Sequence, residues 1–301
     1  MEFFANLHLH STHSDGVYTP ARLVEIAREE GYGAVALTDH DTVTGCEEMR
    51  RACEEAGMGF LFGAEFSVAE PCSFHVVGFE FDPELPEMKE YLRQMCERET
   101  FKTHTVFDWG VAAGTISGCT WEEVVEHNPG VACLYNDHVW RTLLDKGAVK
   151  NTDYQEWFRV NYLHQRKLVK CAIQHKKAGE LVSLIHRAGG IAVLAHPTVP
   201  EKLEQAREYL IPAGLDGVEV WHARMDEEAR KNALAFAREY GLFVSGGSDH
   251  DGLCGGAYET YETEEALKAS EFWIPPRSCG APEAAFRALR DRSGPRYGSD
   301  V

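Results

Sequence analysis

Apolar runs and amphipathic stretches take turns along this chain from its start. Residues 19–31, TPARLVEIAREEG, carry a full set of helix signals. Thr19 is placed to cap, Pro20 suits the first turn, Leu23, Ile26 and Ala27 form an apolar stripe, and Gly31 stops it. The next run, GAVALTDHD, is too short for a helix and reads as a buried strand. CEEMRRACEEAG is helical again with Gly57 at its end, and GFLFGAE returns to strand. This β–α–β–α–β order calls for a parallel sheet or barrel. The rhythm resumes after residue 178. GELVSLIHRAGG, LEQAREYLIPAG and EEARKNALAFAREYG predict helices, and IAVLAHP, DGVEVWH and LFVSGGSDHDG predict strands. Between about 84 and 178 helical stretches follow one another without strand partners. The pattern predicts an α/β domain made of residues 1–83 and 179–301, with a mainly helical lobe inserted at 84–178.

Composition narrows the function classes. At 44% hydrophobic and 26% charged residues the chain has ordinary globular proportions. No apolar run approaches the about 18 residues of a membrane span, and the first ten residues lack a basic segment followed by an apolar one. A cytoplasmic protein with no membrane partner is expected. Nine cysteines, an odd number with no CxxC pair, argue for reduced thiols. The net charge of −18 speaks against extended nucleic acid as a partner. It also means that an anionic substrate needs local positive charge, which bound metal ions can supply.

Candidate chemistry lies at the ends of the apolar runs. In NLHLHSTHSDG, residues two apart on an extended segment point to the same side, so His8 and His10 project together while Leu9 faces away. Two imidazoles with an anionic residue close behind form a metal-ligand pattern. Further runs end in or carry His40 (ALTDHD), Glu65 (FLFGAE), His196 (AVLAHP), His222 (VEVWH) and Asp249 to Asp251 (FVSGGSDHD), and His75 opens SFHVVGF. Parallel barrels gather their active sites at the carboxyl ends of the strands, so these residues are expected to converge. A lone strand-end histidine such as His222 is structural about as often as functional, and its functional role here would be a substrate or phosphate contact. His13, His104, His127, His164, His175 and His186 read as surface or helix residues. No GxSxG elbow, Walker loop or strand-linked GxGxxG competes.

In these segments the chain resembles the PHP (polymerase and histidinol phosphatase) family, in its stand-alone phosphoesterase branch. NLHLHSTHSDG, ALTDHDT, GAEFS, FHVVGF, GGIAVLAHP, GVEVWH and GGSDHDG carry the likeness in the family's order, from residue 6 to 252. The resemblance implies a distorted (β/α)7 barrel holding two or three divalent metal ions (Mn²⁺, Zn²⁺ or Fe²⁺). By motif, a first metal takes His8, His10, Glu65 and Asp249, and a second shares Glu65 and adds His75 and His196. A third uses Asp15, His40 and the end of the last motif. Glu65 then bridges two ions at about 3.5–4 Å and holds a metal-bridging hydroxide that attacks phosphorus. The product is phosphate from a small phosphate ester.

Two departures from the family qualify this. Its last motif is usually Asp-x-His, whereas Asp251 stands here where the histidine is expected. Alternation favours Asp251 as the ligand, with His250 ligating or supporting if the loop bends. The family's Arg-Pro-His-x-Ala-Arg reads NDHVWR here, which keeps His138 and Arg141 for phosphate but places Asn136 where the first arginine belongs. A neutral amide grips phosphate less well than a guanidinium fork. Phosphatase action on a nucleotide or sugar phosphate is therefore expected, with a phosphodiesterase for a small cyclic phosphate as the alternative and a non-catalytic metal or nucleotide-binding module as a third reading. Arg166, Lys170 and Lys177, in an acid-free stretch at helical spacing, offer a phosphate landing strip.

Overall fold

A computed structural model describes residues 3–69, 71–249 and 277–293. Seven strands pair in chain order into one curled sheet: β1 (Ala5–Asn6), β2 (Ala34–Leu37), β3 (Gly59–Val68), β4 (Phe74–Phe79), β5 (Ile191–Leu194), β6 (Gly217–Glu219) and β7 (Phe243–Ser245). Helices α1 (Pro20–Glu29) and α2 (Cys46–Ala56) join the first three strands. Thr19 Oγ1 accepts the Arg22 N–H at the start of α1, and Gly57 closes α2 at φ 67°. Helices α8 (Ala178–Arg187), α9 (Pro200–Tyr209) and α10 (Glu227–Tyr240) serve the later strands, and a last helix, α11 (Glu283–Asp291), packs Phe286 against Phe4.

The sheet is mixed rather than parallel throughout. β4 runs antiparallel to both β3 and β5, while the other pairs are parallel. The cause is the link at 69–73, which is long enough for a hairpin and far too short for a crossover. One consequence concerns function. The beginning of β4 lies where its neighbours end, so His75, opposite Ser67, reaches the same mouth as the strand-end residues. The curl brings the two ends together: Leu7 N–H donates to Gly246 O (3.1 Å) and Asp249 N–H to His8 O (3.0 Å).

Between β4 and α8 the described residues form α3 (Pro86–Ala113), α4 (Trp121–His127), α5 (Asn136–Asp145), α6 (Tyr154–Asn161) and the short α7 (Gln165–Leu168). The first half of α3 lays Met88, Tyr91, Leu92 and Met95 into the main core under the sheet. Its second half contributes Val106 and Phe107 to a separate core with Trp140, Leu143, Trp157 and Tyr162. The landing strip read from helical spacing is not formed: α7 ends at Leu168, and Val169 is extended. Like charges four apart, Arg166 and Lys170, disfavour continuing the helix, and Lys170 is left exposed beyond it.

Candidate metal centre

The loop after β1 is built to present its histidines. Leu9 packs beside Leu23, Val35 and Leu37, which turns His8 and His10 the other way into the mouth, both buried. Leu9 and Thr38 exchange backbone and hydroxyl bonds. Asp39, buried, accepts from Ser11 N–H (2.7 Å), Ser11 Oγ (2.7 Å) and Ser14 Oγ (2.6 Å), and so pins the loop. Gly247 allows the closing loop to lie against His8; a Cβ there would stand 2.4 Å from the His8 backbone nitrogen. His196 (φ 28°) and Asp249 (φ 54°) hold left-handed backbone conformations, strain of the kind that surrounding structure enforces at functional positions.

Glu65 sits at the centre with no exposed surface. Its two oxygens face different histidines. Oε1 lies 3.0 Å from His75 Nδ1 and 2.8 Å from His196 Nε2. Oε2 lies 3.2 Å from His8 Nε2, 3.3 Å from His10 Nε2 and 3.2 Å from His40 Nδ1. Asp249 Oδ1 joins this second set, 3.1 Å from His10 Nε2 and 3.5 Å from His8 Nε2. On the outer side, Asp15 lies 3.4 Å from His10 Nδ1 and 3.5 Å from His40 Nε2. Burial would raise the Glu65 carboxyl, but His75, His8 and His40 outweigh it and hold the group well below its usual range. Asp249 is likewise held low against its burial, chiefly by His8.

These donors fit divalent metal ions. Among the described residues, four sets lie close enough to share an ion: His8–His10–Glu65–Asp249, His10–Asp15–His40, His40–Glu65–His75 and His8–Glu219–His222. Glu219 Oε1 lies 2.9 Å from His8 Nδ1 and its Oε2 accepts the His196 N–H at 2.7 Å. With its proton on Nδ1, His8 turns the Nε2 lone pair toward two carboxylates, an arrangement that needs a cation between them. His8 Nε2, His10 Nδ1, His40 Nδ1 and Glu65 Oε2 are all buried without a hydrogen-bond partner, consistent with that need. The His8–Glu219–His222 set is the poorest candidate, because Glu219 is already engaged. His222 Nδ1 accepts the Arg224 N–H (3.1 Å), so its neutral ring carries the proton on Nε2, 3.5 Å from Asp249 Oδ2. That makes His222 a donor into the mouth.

Eight of the residues picked out from strand ends and motifs therefore lie together: His8, His10, Asp15, His40, Glu65, His75, His196 and Asp249. Asp251 and His250 lie outside the described residues. His138, expected from the motif to contact phosphate, bonds to backbone at both ring nitrogens. Fully buried, its Nδ1 accepts the Tyr135 N–H and its Nε2 lies 3.1 Å from Thr12 O, so both ring nitrogens are spent on backbone. Lys170, beyond α7 and exposed, is not positioned by that helix. Arg141 is half-buried, with Nη1 on Gly16 O while Nε and Nη2 have no partner. Sequence reading missed Glu219 and Asp39. A carboxylate inside the apolar run GVEVW was the available signal for the first.

A cleft of about 140 Å³ opens beside the cluster, lined by Asp15, His40, His75, Tyr135, Asn136 and Arg166 among others. Asn136 Nδ2 donates to Asp137 (2.8 Å), and Arg166 reaches the cleft from α7. The PHP domain family model matches residues 6–271. A 5'-3' exoribonuclease of Haemophilus influenzae is 31% identical over 83% of this chain and 90% of its own length. A 3',5'-nucleoside bisphosphate phosphatase of Chromobacterium violaceum is 31% identical over 86% of this chain and 91% of its own. A crystal structure from Bifidobacterium adolescentis, described as a metal-dependent phosphoesterase, superposes with a TM-score of 0.72 at 25% identity, covering 99% of this chain and 97% of that one. Among the described residues no helix is long and apolar enough to cross a membrane.

Proposed function

This chain belongs to the PHP family and is a metal-dependent phosphoric ester hydrolase, and from that premise we propose that it removes phosphate from a small organic monoester, a nucleotide or sugar phosphate. The observation that carries the reading is Glu65, whose two oxygens face two separate histidine sets as a bridging carboxylate requires. In this reading His8, His10 and Asp249 hold one ion with Glu65, His75 and His196 hold a second with it, and Asp15 and His40 serve a third. Bound divalent ions supply an acidified water as nucleophile and neutralise phosphoryl charge. Glu219 fixes the proton of His8 on Nδ1 and keeps Nε2 free for a ligand bond. His222 offers its Nε2 proton to an oxygen in the mouth. Residues 84–178, as a lobe over that mouth, bring the cleft wall.

The structure bears on the choice between monoester and diester. Asn136 lines the cleft in place of a charged fork, and Arg166, which lines the same cleft from another helix, is paired through Nη2 with Glu99. The dianionic monoester reading therefore leans on the metal ions, which neutralise phosphoryl charge when bound. A diester reading, extending to an RNA end, draws support from the exoribonuclease among the relatives, against the net charge of −18. Assay of the Mn²⁺-loaded protein on phosphomonoesters, small cyclic phosphates and short RNA decides. Turnover of monoesters with the highest kcat/KM supports the proposal; turnover of diesters alone overturns it in favour of the second reading.

A further inference from the structure

Two thiols meet where the helical segment crosses the loop that carries His40. The Cys96 thiol on α3 donates to Asp41 O (3.9 Å), the carbonyl next to His40 in the chain. Cys133, fully buried, belongs to the segment that leads into α5. That segment runs along α3: Leu134 N–H donates to Thr100 Oγ1 at 3.0 Å, one turn beyond Cys96. Beside this bond the Cys133 and Cys96 thiols are hydrogen-bonded to each other. Every described cysteine is a free thiol, so the pair stands here in its reduced form.

The two sulfurs differ in access. Cys96 is half-buried and lines a cavity of about 610 Å³, with Thr42, Val43, Thr100 and Ala132 among its walls. Cys133 has no exposed surface, and burial with Cys96 alongside pushes its thiol well above the usual range. An oxidant entering the cavity therefore meets Cys96 first and finds Cys133 behind it. A reactive cysteine and a resolving cysteine need that order. The pair also connects to the metal centre. Tyr135, two residues on from Cys133, donates its hydroxyl to His40 O at 2.8 Å, and the His40 ring faces Glu65 and Asp15.

We propose that Cys96 and Cys133 form a redox switch: a peroxide joins them in a disulfide, which displaces Tyr135 and through it His40. The Cys96 thiol loses its proton, and its sulfur attacks one oxygen of hydrogen peroxide. The O–O bond breaks, and the leaving hydroxide takes up the proton as water. The Cys133 sulfur then attacks the sulfenic acid on Cys96; the S–O bond breaks, and the Cys133 proton leaves with the hydroxyl as a second water. The two thiols give up two electrons, and the peroxide is reduced to two waters. A disulfide of about 2.05 Å is shorter than a thiol-to-thiol hydrogen bond, so closing it draws the 133–135 segment toward α3. The bond forms whether or not the protein is a phosphoesterase; its effect on turnover rests on that reading.

The test treats wild type, Cys96→Ser, Cys133→Ala and Tyr135→Phe with hydrogen peroxide, removes the oxidant and blocks the remaining thiols. Peptide mass spectrometry then maps the disulfides. A Cys96–Cys133 cross-link is expected in the wild type, reversed by dithiothreitol and absent from both cysteine variants. Cys96 is half-buried, so Cys96→Ser is expected to fold. After loading with Mn²⁺, oxidised wild type is expected to lose about tenfold in kcat/KM on a phosphomonoester and to regain it with dithiothreitol. Cys96→Ser should hold its kcat/KM through the same treatment, and Tyr135→Phe should form the cross-link yet lose most of the response. Absence of the cross-link, unchanged turnover despite it, an equal loss in Cys96→Ser or a full response in Tyr135→Phe overturns the switch. If reduced wild type hydrolyses no monoester, Mn²⁺ affinity takes the place of turnover. About tenfold weaker binding on oxidation, reversed by dithiothreitol, then supports the switch, and unchanged affinity overturns it.

Discussion

Glu65 and Glu99 are two buried carboxylates beside one cleft, Glu99 in its wall and Glu65 behind the His40 and His75 that line it, and their surroundings are opposite in kind. Glu99 is paired with guanidiniums, which stay charged at any working pH. Its charge is balanced by the protein alone. Glu65 is ringed by five imidazoles, which balance it only when protonated, and five adjacent imidazolium ions would repel one another. A metal ion resolves that conflict, since neutral imidazole lone pairs and a carboxylate all gain from it. Equal burial of the same residue type therefore leads to a self-sufficient ion pair in one place and a demand for an external cation in the other.

The largest expected effect tests the Glu65 half of this contrast. Glu65→Gln keeps shape but removes the charge, and kcat is expected to fall by about three orders of magnitude with loss of at least one ion by elemental analysis. Near-normal kcat with full metal content would refute the bridging role. Chelation should lower the Tm of the wild type, because ions that bind only the folded state stabilise it, and should lower that of Glu65→Gln less.

Glu99→Gln should show the mirror image. Metal content should hold, while stability falls by about 3 kcal/mol because partly buried guanidiniums lose their counter-charge. Urea denaturation reads this directly, and the deficit should persist in the presence of chelator. If Glu99→Gln instead sheds metal at unchanged stability, the two carboxylates are one coupled system and the contrast fails.

The two halves were also unequally legible in the sequence. His8, His10, His40, Glu65, His196 and Asp249 stand at or just beyond the ends of apolar runs, and alternation or strand position alone predicts their convergence. Helix positions followed from caps, stripes and stops, as Thr19 and Gly57 show. The reversal of β4 was hidden, because an apolar run looks the same in either direction; only the brevity of the 69–73 link carried it. The Glu99 cluster could not be read at all. Arg166 and Glu99 are 67 positions apart, and their meeting depends on how α7 folds back on α3. Asp39 was missed for the same reason, since its two partners, Ser11 and Ser14, lie in a loop some 25 to 28 positions earlier.

Glu219 sharpens the contrast at smaller scale. It has neither the guanidiniums of Glu99 nor the central place of Glu65, and its two oxygens are spent on His8 Nδ1 and the His196 N–H. Glu219→Gln should weaken metal binding by about 10- to 100-fold, as read by competition with a chelating dye. Unchanged affinity would mean that His8 keeps its tautomer without help.

The smallest effect concerns Arg141, whose role lies between the two halves. Its Nη1 donates to the Gly16 carbonyl, beside Asp15, while Nε and Nη2 are buried with no partner in the fold. Two unspent donors on a fixed cation suit a phosphoryl oxygen. They also suit a brace for the Asp15 loop, and the two roles separate kinetically. As a phosphate contact, Arg141→Ala should raise KM about fivefold, leave metal content intact and change kcat little. Arg141→Lys, which keeps the charge but loses the fork, should fall between. As a brace, the loss of the Gly16 bond would let Asp15 move, and kcat and the affinity of the outermost ion would fall together while KM stayed near the wild-type value. A KM change with full metal content places Arg141 on the substrate, and the opposite pattern places it with Asp39 and His138 among the residues that hold the loop.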